Sequence, residues 1–250
     1  MPSPRHTAVV TAQPRAAAAP SSRALGAAAA LVWALYALNV AVHVAALAVD
    51  AEGLAAPSKL TLMPLLGLAA ALSVLSRRAG HAVPGRGALA LLLAAVGLSW
   101  LGDGAATFTP FLPTLPAMLG FFGLAHLAYI VLFWRRLAVR RPGWAVVWLP
   151  VWWLGMVVLI APHAGALAVA VAAYGVVLAC TCAASRRGPT PAWWGGIAFL
   201  LSDSILALRL FLPDMPHWTS PAVMLSYGLG QGLLVWAACR GLSSLGRAVE

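Results

Sequence analysis

Apolar runs of about the 20 residues that cross a bilayer alternate with short polar joints along this chain. Eight can be placed, over residues 24–49, 58–76, 88–108, 116–134, 144–161, 165–184, 192–212 and 220–240. Pro and Gly punctuate most joints, at Pro57, Pro84-Gly85, Pro110 to Pro116, Pro142-Gly143, Pro162, Gly188-Pro189 and Pro213 to Pro221. The joints are too short for a separate soluble domain. Residues 1–23, rich in Ala, Pro, Ser, Thr and Arg without periodicity, read as a disordered tail. The first apolar run exceeds the roughly 7–15 residues of a signal-peptide core and reads as a retained helix. The pattern predicts an all-α polytopic membrane protein, with eight transmembrane helices over residues 24–242 and a short cytoplasmic tail over 243–250.

Composition agrees, at 62% hydrophobic and 9% charged residues, against about 25% charged in soluble domains. Sixteen Lys and Arg face six Asp and Glu. In a soluble chain that excess would suggest nucleic acid; here its placement suggests orientation. Arg23, Arg77, Arg78, Arg86, Arg135, Arg136, Arg140, Arg141, Arg186, Arg187, Arg240 and Arg247, with Arg5 and Arg15 of the tail, all fall on one side of an eight-span arrangement. The positive-inside rule then puts both termini in the cytoplasm, with the cell membrane as the location and membrane lipids rather than nucleic acid as partners. Lys59 and Arg209 are left on the opposite side. The three Cys give no disulfide framework.

Against this background two carboxylates stand out. Asp103 and Asp203 lie within apolar runs, in the matching frames Leu101-Gly102-Asp103-Gly104 and Leu201-Ser202-Asp203-Ser204, each followed ten residues on by the Pro of a Phe-Leu-Pro. A charged side chain at the bilayer centre costs about 3 kcal/mol or more, which marks such residues as functional. Past the Asp frames, with a five-residue insertion, Gly123-Leu124-Ala125-His126 matches Gly228-Leu229-Gly230-Gln231. The two copies read as a parallel four-helix repeat. Helical spacing gathers the other polar positions into stripes: Tyr36, Asn39 and His43; Ser99 and Asp103; His126 and Tyr129; Tyr227 and Gln231. In lipid these faces turn inward, which implies a polar cavity.

Five stretches carry a resemblance. They are Ser58-Lys59-Leu60-Thr61-Leu62-Met63-Pro64-Leu65, Ser99-Trp100-Leu101-Gly102-Asp103, Gly123-Leu124-Ala125-His126-Leu127-Ala128-Tyr129, Ala198-Phe199-Leu200-Leu201-Ser202-Asp203-Ser204 and Tyr227-Gly228-Leu229-Gly230-Gln231. In this order the chain resembles the YhhN family, whose characterised members are lysoplasmalogenases. It departs from the family pattern at Leu60-Thr61, before Pro64, and at Gly104-Ala105-Ala106-Thr107 after the first Asp. The resemblance implies hydrolysis of the vinyl ether bond of a lysoplasmalogen, a lysophospholipid, to a fatty aldehyde and a glycerophospho-base. That chemistry suits the residues found. An acid that keeps its proton near neutral pH protonates the β-carbon, and a second carboxylate stabilises the oxocarbenium ion and activates water, as in glycosidases. Asp103 and Asp203 are the expected acid/base pair, with roles unassigned and His126 beside them. Lys59, with Arg209, would hold the phosphate, while Tyr129, Tyr227, Gln231 and Asn39 would contact substrate or water. No cofactor is expected. Two alternatives use the same groups. One is a proton-coupled small-solute transporter. The other is a metal-dependent hydrolase holding zinc on His43, His126, Asp103 and Asp203.

Overall fold

The computed structural model describes residues 21–78 and 86–247, and over these it is helical without strands. Residues 1–20 of the expected tail, the Pro84-Gly85 joint and residues 248–250 lie outside the described residues. The helices are α1 (Ser22–Ala48), α2 (Glu52–Arg78), α3 (Arg86–Asp103), the single turn α4 (Ala105–Phe108), α5 (Thr114–Val131), α6 (Leu149–Ala164), α7 (Ala168–Arg187), α8 (Thr190–Phe211) and α9 (Thr219–Arg247). Seven helical stretches are long and apolar enough to cross a membrane, one of them the 44-residue stretch Trp144–Arg187. Gly165, at φ 52°, breaks that stretch into α6 and α7. The two fold back on each other, with Trp153 Nε1 donating to the Ala172 carbonyl at 2.9 Å. Counted separately, they bring the long apolar helices to eight. The chain is a multi-pass membrane protein.

Several boundaries moved, each for a local reason. Helix α2 begins at Glu52 and carries Pro57 and Pro64 inside it, although Pro57 read as a joint. A proline within a helix removes one backbone donor and strands the carbonyl four residues earlier. For Pro64 that carbonyl belongs to Leu60, and the Trp100 indole N–H of α3 donates to it at 2.9 Å. The third apolar run does not continue unbroken to residue 108. It kinks at Gly104, where a Cβ would stand 2.3 Å from the Phe108 ring, so Asp103 becomes the last residue of α3. Helix α5 ends in a π-helical turn over Leu132–Arg136. Pro162, another expected joint, lies inside α6.

Helix α9 is the hub, packed against α1, α2, α3 and α8. Its apolar window is 61% buried, against 17% for Trp144–Arg187, which leaves α6 and α7 at the periphery. The run Gly228-Leu229-Gly230-Gln231-Gly232 makes this centrality feasible. Gly228 and Gly232 face α1, where added Cβ atoms would meet Val40 at 2.8 Å and Tyr36 at 3.1 Å; Gly230 faces the α8 backbone at Phe199 N, 2.8 Å from its would-be Cβ. Small residues on two sides of one helix let two neighbours approach closely, which is how packing replaces the hydrophobic effect in lipid. The side chain between them, Gln231, is left to point elsewhere.

Candidate active site

Gln231 is wholly buried, and its amide joins three helices. Its Oε1 accepts from the Tyr129 hydroxyl of α5 at 2.6 Å, and its Nε2 donates to Ser99 Oγ of α3 at 2.9 Å and to Tyr227 OH at 3.4 Å. Tyr227, one turn before Gln231, in turn donates to Asp103 Oδ2 at 2.7 Å. The other oxygen, Asp103 Oδ1, lies 3.8 Å from Lys59 Nζ of α2. The carboxyl side chain is 4% exposed and the lysine 36%, so Lys59 reaches inward from the bundle's edge to a nearly buried partner.

Asp203 sits mid-helix on α8 with a different retinue. Tyr174 of α7 donates a hydrogen bond to its Oδ2, and His126 Nε2 of α5 lies 3.9 Å from the same oxygen. His126 is buried, and neither ring nitrogen has a hydrogen-bond partner among the described residues. Its ring is held edge-on by Phe199 at 4.6 Å and Tyr174 at 5.7 Å between centroids. The flanking Ser204 Oγ accepts from the Trp152 indole of α6 at 3.1 Å, and Ser202 Oγ donates to the Val223 carbonyl of α9 at 3.0 Å. Side-chain bonds thus tie α8 to its neighbours on both sides of the acid.

Both carboxyls line one cavity of about 150 Å³. Its polar wall is Lys59, Asp103, Tyr174, Asp203 and Tyr227 with the two serines, and the rest is apolar. Met118 and Phe122 of α5, Trp153 and Ile160 of α6, and Leu178 of α7 are typical of that surface. The chemistry is one of contrast, with a few titratable groups gathered at one wall of a hydrocarbon-lined space.

Among the sequence-expected residues, Asp103, Asp203, Lys59 and Tyr227 form the cavity wall. His126, Tyr129 and Gln231 stand behind it as supports. Two others are placed away from the cavity lining. Asn39 donates to the Ser58 carbonyl at 2.8 Å, tying α1 to α2. Arg209 turns toward the loop after α8, donating to Thr219 Oγ1 and to the Pro216 carbonyl at 3.4 Å. His43 pairs with Ser58 Oγ at 2.9 Å, so the four donors proposed for zinc do not converge. Among the described residues no three His, Cys, Asp or Glu side chains gather as a metal site. Tyr174 and Trp152 are not singled out by the sequence, because a lone aromatic on an apolar helix looks like packing until its partner is known.

No curated protein and no solved structure matches the chain. The sequence profile of the YhhN family matches residues 54–238, from α2 to α9, and the chain belongs to the YhhN family.

Proposed function

We propose that this protein is a lysoplasmalogenase-like hydrolase of the cell membrane, cleaving the vinyl ether bond of a lysoplasmalogen by acid/base catalysis on Asp103 and Asp203. The observation that carries the reading is the single cavity shared by two carboxyls of distant sequence, apolar except at their wall. Membership of the YhhN family is consistent with it. Protonation of the β-carbon by one carboxyl gives an oxocarbenium ion, and the other stabilises it and deprotonates the water that captures it. The hemiacetal collapses to a fatty aldehyde and a glycerophospho-base. Burial keeps both carboxyls away from bulk water, and in such a low-dielectric site they act more strongly on developing charge.

In this reading the lipid chain lies among the apolar residues of α5, α6 and α7. The substrate phosphate meets Lys59, which is partly exposed and has three donors to share between it and Asp103. His126, Tyr129 and Gln231 hold the wall's geometry. The termini are cytoplasmic, so the arginine-rich ends of α2 and α7 face inward and the Lys59 end of the bundle faces out.

Purified protein given alkenyl, alkyl and acyl lysophospholipids should release aldehyde from the alkenyl substrate alone, measured by mass spectrometry. Asp103→Asn and Asp203→Asn should each reduce that release by at least 100-fold, the lower range for a lost acid or base, while remaining folded and extractable. Full activity in either variant removes that residue from the mechanism. Uptake of a solute into proteoliposomes without any cleavage would favour the transporter instead.

A further inference from the structure

The two carboxyls occupy corresponding positions of the two sequence copies, and their surroundings correspond as well. Taking α1, α2, α3 and α5 as one half and α6, α7, α8 and α9 as the other, each Asp is on the third helix of its half. The second helix of the same half supplies one partner. Lys59 stands seven residues past the start of α2 at Glu52, and Tyr174 six past the start of α7 at Ala168. Lys59 meets Asp103 and Tyr174 meets Asp203. The last helix of the opposite half supplies the other partner, Tyr227 of α9 to Asp103 and His126 of α5 to Asp203.

The correspondence breaks at one chemically decisive place. Where one half puts an ammonium beside its carboxyl, the other puts a phenol. Among the described residues no Lys or Arg pairs with Asp203, and the nearby His126 is sealed between aromatic rings. A carboxylate in a low-dielectric site persists when a cation is beside it, and otherwise the group takes up a proton. Asp203 also has an oxygen, Oδ1, that accepts no hydrogen bond from the described residues, in a residue that lines the cavity.

We propose that the two carboxyls have fixed and different roles, Asp203 carrying the proton as the acid and Asp103 standing ionised as the carboxylate, with Lys59 as the positioning residue that sets the difference. The chemistry rests on the hydrolase reading above; the assignment of the proton does not. Asp203 transfers its proton to the β-carbon, whose π electrons form the new C–H bond, and the oxocarbenium ion forms beside Asp103. Water adds to the cationic carbon while Asp103 takes its proton. As the hemiacetal collapses, its hydroxyl proton goes to Asp203. The bond to the glyceryl oxygen breaks, and that oxygen takes the proton from Asp103. Both carboxyls return to their starting states, and one water is consumed.

Infrared spectroscopy of the purified protein at neutral pH, without substrate, reads the assignment directly. Few carboxylates compete, since only six occur in the chain and Asp50, Glu52 and Asp214 are exposed. One protonated-carboxyl carbonyl band, shifting in heavy water, is expected. It disappears in Asp203→Asn, stays in Asp103→Asn and in Lys59→Arg, and is joined by a second band in Lys59→Met. No such band, loss of the band in Asp103→Asn, or an unchanged spectrum in Lys59→Met overturns the assignment. Lys59→Met lies at the partly exposed edge of the site and keeps the test decisive should Asp203→Asn not fold. If the bands behave as expected but no aldehyde is released, the hydrolase reading fails and the assignment stands. Aldehyde release with the bands reversed keeps the hydrolase reading and overturns the assignment.

Discussion

Gln231 shows how much one buried side chain carries in this protein. Its amide oxygen and nitrogen link Tyr129, Ser99 and Tyr227, and Tyr227 then reaches Asp103. Replacing it by Leu keeps the volume roughly but strands the Tyr129 and Ser99 hydroxyls in a dry interior. Each stranded group costs about 1–3 kcal/mol, so Gln231→Leu should lower the thermal midpoint in detergent clearly. Because Tyr227 loses its support, aldehyde release should fall further than stability alone accounts for, measured at a temperature where the variant is fully folded. A variant with wild-type melting would show that the network is not formed. The sequence reveals that Gln231 and Tyr227 share a helix face, since i and i+4 spacing is read directly. It does not reveal that the face meets Asp103, because that contact joins positions 124 residues apart.

At the scale of the helix, two features invite measurement. Pro64 and Trp100 form a compensating pair, the proline freeing the Leu60 carbonyl and the indole filling it. Trp100→Phe should destabilise by about 1–3 kcal/mol, leaving a carbonyl unpaired. Pro64→Ala restores a donor to that carbonyl, so the double variant should recover part of the loss. A double-mutant cycle with no coupling would refute the pairing. The second feature is the glycine run of α9. Gly230→Ala would place a Cβ 2.8 Å from the Phe199 backbone nitrogen, where no side chain can yield, whereas Gly123→Ala meets nothing within 4 Å. Overpacking costs about 1–3 kcal/mol, so the thermal midpoint should drop for Gly230→Ala and hold for Gly123→Ala. Comparable melting of the two would argue against close α8–α9 packing. Hydropathy gave the long apolar helices, though α9 runs on to Arg247, seven residues past the expected end of its apolar run. It misplaced the break at Gly104 and the start of α2 because hydrophobicity reports what lipid tolerates, not where the backbone turns.

Across the whole molecule the arginines make a prediction about sidedness. With α6 and α7 crossing separately, single cysteines at Asp50 and Asp214, introduced in a cysteine-free background, should react with an impermeant thiol reagent from outside intact cells. A cysteine at Val139 should react only after the membrane is opened. Labelling of Asp50 but not of Asp214 from outside would mean that α6 and α7 do not form two spans. The same arrangement puts Lys59 and the Asp50–His217 contact, 2.8 Å between Oδ1 and Nε2, at the outward end. That contact is well exposed and should matter little to stability.

The sequence by itself determined the helical membrane character, the family, and the singling out of Asp103 and Asp203, because each follows from local quantities. Apolar run length, the cost of a buried charge and the order of short motifs are all written along one dimension. The tertiary structure alone decided that the carboxyls share a cavity, and that Lys59 and Tyr174 are their respective partners. It also moved Asn39 and Arg209 into interhelix and loop contacts. Those outcomes depend on which faces of distant helices meet, and in lipid that is set by close packing at small residues and by satisfying every buried polar group, neither of which hydrophobicity records.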